Sequence, residues 1–228
     1  MRRVTGVLLH PRATMVEVVR HPAFITTWVV VLLAVLACGG LLLSTPVGQQ
    51  ALIDERVRLT ETLGNRVDDA EYARLQAHPP FLTYWTSGGR LLVTPELTLL
   101  VAVGLLLLAR LDGVQMSYVT ALAIAVHATV VLALQQILAT PVHYLFESLT
   151  SPFNIASMLR LFDEGTVAAR LLGAIDMFGV WWVWLMAVGL AVASGRPTGR
   201  YFGRLMALYV GVAAVVAGTI AVLGRGSI

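Results

Sequence analysis

The chain has 228 residues, 57% of them apolar and only 13% charged, with a mean hydropathy of +0.79 and a net charge of +3. Soluble domains carry about 25% charged residues, so an ordinary soluble fold is excluded. A nucleic-acid-binding domain is excluded too, because the basic residues, all arginine, flank apolar runs instead of lining a polar face.

In chain order, HPRATMVEVVRHP at residues 10–22 is expected to form an interfacial helix. The first apolar run follows at residues 24–43 and contains the single cysteine, Cys38, so neither an internal disulfide nor a thiolate metal cluster can form. Val35–Cys38 loosely resembles a lipoprotein cleavage box, but the segment ahead of the run is too long for a signal n-region, and Cys38 reads as a buried helix cysteine. Residues 44–90 form the one sizeable loop. Its stretch QQALIDERVRLTETLGNRVDDAEYARLQ sets Ile53, Val57, Leu63 and Val67 at mixed spacings with Gly64 as a stop, which predicts a short helical hairpin. Phe81, Tyr84 and Trp85 then return the chain to the membrane surface. Further apolar runs cover 91–109, 118–138, 171–193 and 205–223. The mixed stretch 139–170, with Phe153, Ile155, Met158, Leu159 and Phe162, is expected to hold an interfacial helix.

Each apolar run reaches the ~20 residues that cross ~30 Å of hydrocarbon, and without water to satisfy the backbone each must be helical. The expected fold is all-α. It is a polytopic membrane protein in which residues 1–228 form one membrane domain of five transmembrane helices, with an extracytoplasmic helical hairpin between the first two. Residues 1–23, 110–117 and 195–204 then share one side and hold eight arginines against two acids, Glu17 and Asp112. Residues 44–90, 139–170 and 224–228 hold eight arginines and nine acids. Arg196, Arg200 and Arg204 in one short loop mark their side as cytoplasmic, so the N-terminus is expected in the cytoplasm and the C-terminus outside.

Polar residues inside the spans are few: Glu96 in the second, His127, Gln135 and Gln136 in the third, and Asp176 in the fourth. Glu96 and Asp176 each fall about 7.5 Å below an outer span end, Gln135 and Gln136 within about 3–5 Å of one, and His127 about 12 Å deeper than Gln135. One reading is an ion or proton site open to the outside, with His127 as an inner relay. The other gives the acids to helix starts, where Pro95 precedes Glu96, or to pairing with Arg90 and Arg170, and makes His127 a neutral interhelical hydrogen-bonding group. This second reading is favoured because shallow charges cost little.

Enzyme chemistry has no support in the sequence. There is no deep pair of aspartates, no His-x-x-x-His, no serine or cysteine beside a histidine and no phosphate-binding glycine loop. No catalytic residue, metal or cofactor is expected. Packing is better signalled. Ala207, Gly211, Ala214 and Gly218 recur along one face of the fifth span, and Gly189 with Ala193 make a small-residue pair in the fourth.

LLHPRATM before the first span, LDGVQMSYVTALAIAVHATVVLALQQIL around the third and DMFGVWWVWLMAVGLAVASG on the fourth resemble the bacterial branch of the Yip1-domain family of five-span proteins. Asp176, Phe178, Trp181, Gly189 and Leu190 fit its fourth-span pattern, with Met177 in place of the usual leucine. The resemblance covers essentially the whole chain. It implies a membrane protein without catalytic activity. Eukaryotic relatives look like partners of small GTPases, but the long N-terminal region that carries such work has no counterpart here. Bacterial members look like companions of multi-component systems, ABC-type exporters included. The first expectation is therefore a non-enzymatic scaffold or accessory subunit in the bacterial cytoplasmic (inner) membrane. Its partners would be the lipid bilayer and other membrane proteins, such as a transporter permease or adaptor, with no nucleic acid; a homo-oligomer is left open. The alternative is a small ion or solute channel or transporter using Glu96, Asp176, Gln135 and His127.

Overall fold

The computed structural model describes residues 2–62, 64–77, 79–159 and 172–223. They form helices α1 Arg2–Leu9, α2 Pro11–Arg20, α3 Ile25–Leu43, α4 Pro46–Thr62, α5 Asp69–Ala77 and α6 Pro79–Leu111, followed by α7 Tyr118–Ala128, α8 Val130–Leu145, α9 Ile155–Leu159, α10 Met177–Ser194 and α11 Thr198–Leu223. The fold is all-α; among the described residues the extended pairing is an isolated antiparallel bridge between Asn154 and Asp176. Five stretches are long and apolar enough to cross a membrane: Ile25–Leu43, Val93–Leu111, Tyr118–Leu145, Met177–Ser194 and Thr198–Thr219.

Several boundaries differ from the sequence expectation, each for a physical reason. Pro95 is not a helix start: it lies inside α6, which continues back to Pro79, as prolines in membrane spans can. The third span extends to Leu145 and breaks at Thr129, whose hydroxyl donates to the Val126 carbonyl at 2.7 Å, a back-bond that bends helices. The fourth span starts at Met177 instead of 171, because the backbone just before it is held in the bridge to Asn154. Gly195, with φ of +69°, ends α10 in the left-handed region, and α11 begins at Thr198 instead of 205. Arg200 and Arg204 are therefore helical, not loop residues. Residues 10–22 do not lie alone on the surface: α1 and α2 both pack on α7. Leu63, Phe162 and Arg170, and the side chains of Phe81, Tyr84, Trp85 and Arg90, lie outside the described residues.

The chain divides into two compact units. The first comprises Met1–Val35, Arg90–Gln135 and Phe178–Tyr209. Its centre is α7. Every residue from Ala121 to Val131 is buried, and alanines at 121, 123, 125 and 128 let neighbouring backbones come close. Val7 of α1 and Met15 and Val18 of α2 are fully buried. The α1–α2 turn is itself tight, since a Cβ on Gly6 would stand 2.6 Å from Thr14 Oγ1. Val31 of α3 packs with Val130 and Ala133, flanked by Val4 and Leu8. On α10, a Cβ at Gly189 would overlap Ile124 Cγ2 and one at Gly179 would overlap the Tyr209 hydroxyl.

The second unit comprises Leu36–Gly89, Gln136–Met177 and Val210–Ile228. Thr45 accepts a hydrogen bond from Gly48 N–H at 3.0 Å and so caps α4, with Pro46 in the first helical position. Leu52 and Ile53 of α4 pack on Leu43, and Val57, Tyr72, Leu75 and Leu149 close around them. Gln50 donates to the Tyr72 hydroxyl at 2.8 Å, and that hydroxyl donates to Asp54 at 3.1 Å, which ties α4 to α5.

Gly189→Ala should overpack α10 against α7 and cost about 1–3 kcal/mol. Thermal unfolding in detergent checks it, and the double variant with Ile124→Ala should recover part of the loss. A neutral Gly189→Ala would refute the close approach.

Candidate functional site

The His127 side chain is fully buried on α7. Its Nδ1 lies 2.8 Å from the Ala123 carbonyl one turn earlier, and its Nε2 lies 3.1 Å from Thr27 Oγ1. A carbonyl oxygen only accepts, so Nδ1 carries the hydrogen, and in the neutral ring Nε2 accepts from the Thr27 hydroxyl. Both ring nitrogens are engaged. Thr27 is the third residue of α3, so this bond holds His127 level with the first turn of that span and joins the first span to the third.

Of the other polar residues singled out in the sequence, Glu96 and Gln135 lie in the same unit as His127. Glu96 is exposed on α6, and among the described residues no hydrogen bond or ion pair ties it. Gln135 and Gln136 are half-buried on α8. Within the unit that holds Glu96, His127 and Gln135, no hydrogen bond joins any two of the three. Asp176 is not inside the fourth span but immediately before it. Ser151 Oγ donates to Asp176 Oδ2 at 2.6 Å. Beside that bond, Ile155 N–H donates to the Ile175 carbonyl at 3.0 Å and Met177 N–H to the Phe153 carbonyl at 3.1 Å. Asn154 closes the knot by donating to the Ser151 carbonyl at 2.8 Å and accepting from Ser157 N–H at 2.7 Å. Asp176 thus anchors the chain entering α10. Beyond it Phe178 stacks on Trp181, ring centroids 6.3 Å apart, while Gly189 and Leu190 are buried.

The small residues divide in the same way. Gly189 is buried and Ala193 half-buried on α10, but Ala207, Gly211 and Ala214 are exposed on α11 and Gly218 half-buried. The face of α11 that the chain itself buries runs through Tyr201, Leu205, Ala213 and Ala217.

A cluster that sequence reasoning did not assemble surrounds Asp112, in the turn after α6. Arg200 Nη2 donates to Oδ1 at 2.7 Å and Arg204 Nη1 to Oδ2 at 2.9 Å. Arg196 lies 3.2 Å from Oδ1 and also donates to the Asp112 carbonyl at 2.6 Å. The Asp112 side chain is 5% exposed, whereas Arg196, Arg200 and Arg204 are 34%, 46% and 43% exposed. The four-residue spacing of the arginines was the available signal: on a helix it stacks them along one face. The Arg204 hydrogen bond is the strongest influence on the Asp112 carboxyl; burial opposes it, and the fields of Arg200, Arg204 and Arg196 add to it. The net effect holds the Asp112 pKa below the ordinary carboxylate value.

Two predictions follow from this geometry. Thr27→Val should cost about 0.6–2 kcal/mol by stranding His127 Nε2, while Thr27→Ser should be nearly silent; equal losses in thermal unfolding would refute the bond. Because folding depresses the Asp112 pKa, its contribution is fully present above the unfolded value of about 3.9 and is lost as pH falls through the folded one. Asp112→Asn should therefore lower the unfolding midpoint near neutrality, with the gap to the parent closing below about pH 3.9. A gap that stays constant on acidification would contradict it.

The Yip1 domain profile matches residues 5–221, which takes in α2 to α10, the His127–Thr27 bond, the Asp176 knot and the Asp112 cluster. No curated protein and no solved structure matches the chain. With five membrane-crossing helices and a domain match over nearly its whole length, this integral membrane protein belongs to the Yip1-domain family.

Proposed function

We propose that the chain is a non-enzymatic scaffold or accessory subunit of a multi-component system in the bacterial cytoplasmic membrane, with its N-terminus in the cytoplasm and its C-terminus outside. The observation that carries this reading is the uncovered small-residue face of α11. Ala207, Gly211 and Ala214 are exposed, and a Cβ built on Gly211 or Gly218 meets nothing within 4 Å. A glycine inside a helix costs about 1 kcal/mol relative to alanine. In lipid that cost is offset where a second helix comes close enough to gain from the missing side chain. Among the described residues no helix comes that close to Gly211 or Gly218, so a partner is the natural occupant. The concentration of arginine over acid in residues 1–23, 110–117 and 195–204 supports the orientation. An ABC-type export system is the partner class that the family resemblance suggests.

The test is gentle extraction from native membranes followed by mass spectrometry of what co-purifies. A permease, ATPase or adaptor should be recovered in stoichiometric amount, and Gly211→Leu with Gly218→Leu should abolish that recovery while leaving thermal unfolding within about 0.5 kcal/mol of the parent, as for exposed positions. A clean homo-oligomer, or liposome ion flux that depends on Glu96 and Asp176, would overturn the reading.

A further inference from the structure

The Asp112 cluster carries more positive charge than it neutralises. The turn after α6 and the opening of α11 together hold Arg110, Arg196, Arg200 and Arg204 against the single acid Asp112. Arg3 is already committed elsewhere, pairing with Glu17 at 3.0 Å. Each guanidinium has five N–H donors. Arg200 and Arg204 each spend one on the carboxylate and remain nearly half exposed. Three like charges on one carboxylate leave an excess that no other acid among the described residues compensates, and it lies at the opening of α11. There the positive end of the helix dipole disfavours arginine further. An anion would balance it.

The surroundings say which kind of anion. Arg200, Arg204 and Leu208 succeed one another at four-residue intervals on α11, so they lie on one helix face. Leu208 is 63% exposed, and Leu111, at the end of α6 beside Asp112, is 83% exposed. The face thus reads charged and then apolar from the end of the span inward. A free inorganic anion gains nothing from the exposed leucines, whereas a phospholipid places its phosphate and its acyl chain in that order.

We infer that Arg196, Arg200 and Arg204, prearranged on Asp112, form a binding site for the phosphate of an anionic phospholipid, with Leu208 and Leu111 against its acyl chain. Asp112 has a positioning role: it aligns the guanidinium forks and leaves their outer N–H groups free for a bidentate phosphate contact. Any bilayer containing anionic lipid would occupy the site, so the inference stands apart from the scaffold proposal.

The experiment measures thermal unfolding and retained lipid, by native mass spectrometry, in neutral detergent supplemented with phosphatidylglycerol, phosphatidylcholine or inorganic phosphate. Phosphatidylglycerol should stabilise the protein and be retained, and phosphatidylcholine should do neither. In Arg200→Gln with Arg204→Gln, apparent affinity for phosphatidylglycerol should fall about 30-fold, reading each arginine at the usual strength of a surface cation for an anionic membrane. Arg200→Lys with Arg204→Lys keeps the charge but not the fork, so its affinity should fall between that of the parent and that of the glutamine variant. The readout is the difference between the two lipids, which separates lipid binding from any general loss of stability. If the double glutamine variant does not fold, the single variants, each leaving two guanidinium groups on Asp112, should show partial losses. Equal stabilisation by both lipids, undiminished phosphatidylglycerol binding in the glutamine variants, or stabilisation by inorganic phosphate matching that by phosphatidylglycerol would each overturn the inference.

Discussion

The structure depends on burying one helix on all sides in a solvent that gives no hydrophobic reason to do so. Lipid tails are as apolar as a leucine side chain, so spans associate through close packing and interhelical hydrogen bonds. The third span meets that constraint by composition. α7 is rich in alanine, and its neighbours reach it through Val7, Met15 and Val18 on the N-terminal helices and through Gly189 on α10. His127 is the polar exception on this helix, and its bond to Thr27 serves the same end as the alanines by joining two spans at short range. With both ring nitrogens engaged, the imidazole fastens the first span to the third.

The same economy governs the charged groups. Asp176 stands outside the span it precedes, held by Ser151 and by backbone bonds on either side, and Asp112 stands in the turn beyond α6. Arginines in the opening turns of a helix are unfavourable against its dipole; Asp112 makes Arg200 and Arg204 tolerable there. It also ties the turn after the second span to the entry of the fifth through contacts that no apolar pair could direct as narrowly. Charge is thus used at span ends to set register between elements distant in sequence, while packing within the membrane is left to small residues.

Hydropathy revealed the five spans because each needs about 20 apolar residues, a signal that survives without any tertiary knowledge. Their ends were less legible. Window composition cannot distinguish a loop from a helix that continues past the apolar stretch, so Arg196–Arg204 read as a loop, although the four-residue spacing of its arginines was itself a helical pattern. Pro95 misled because proline's preference for a first turn is a rule of helices in water. The contact of Thr27 with His127 and that of Asp112 with three arginines join residues 100 and 84 to 92 positions apart, and no local pattern encodes such pairs. Asp176 drew attention in sequence as a charge near an apolar run. The bridge that holds it needs Ser151 and Asn154, which in sequence are only polar residues between two elements.

α11 brings the two proposals onto one surface. At about 100° per residue, Arg200, Leu208, Gly211 and Gly218 all fall within about 40° of Arg204 around the helix, whereas Leu205 and Ala213 point well away from it. A phospholipid held at the arginines would run its acyl chain down toward the glycines. A partner helix lying against Gly211 and Gly218 would have to displace that chain or pack along it. Lipid and partner would then share a boundary, and each would alter the binding of the other by the same factor, as linkage requires of two ligands on one protein. For an accessory subunit, that coupling would make assembly responsive to the anionic lipid content of its membrane without any catalytic step.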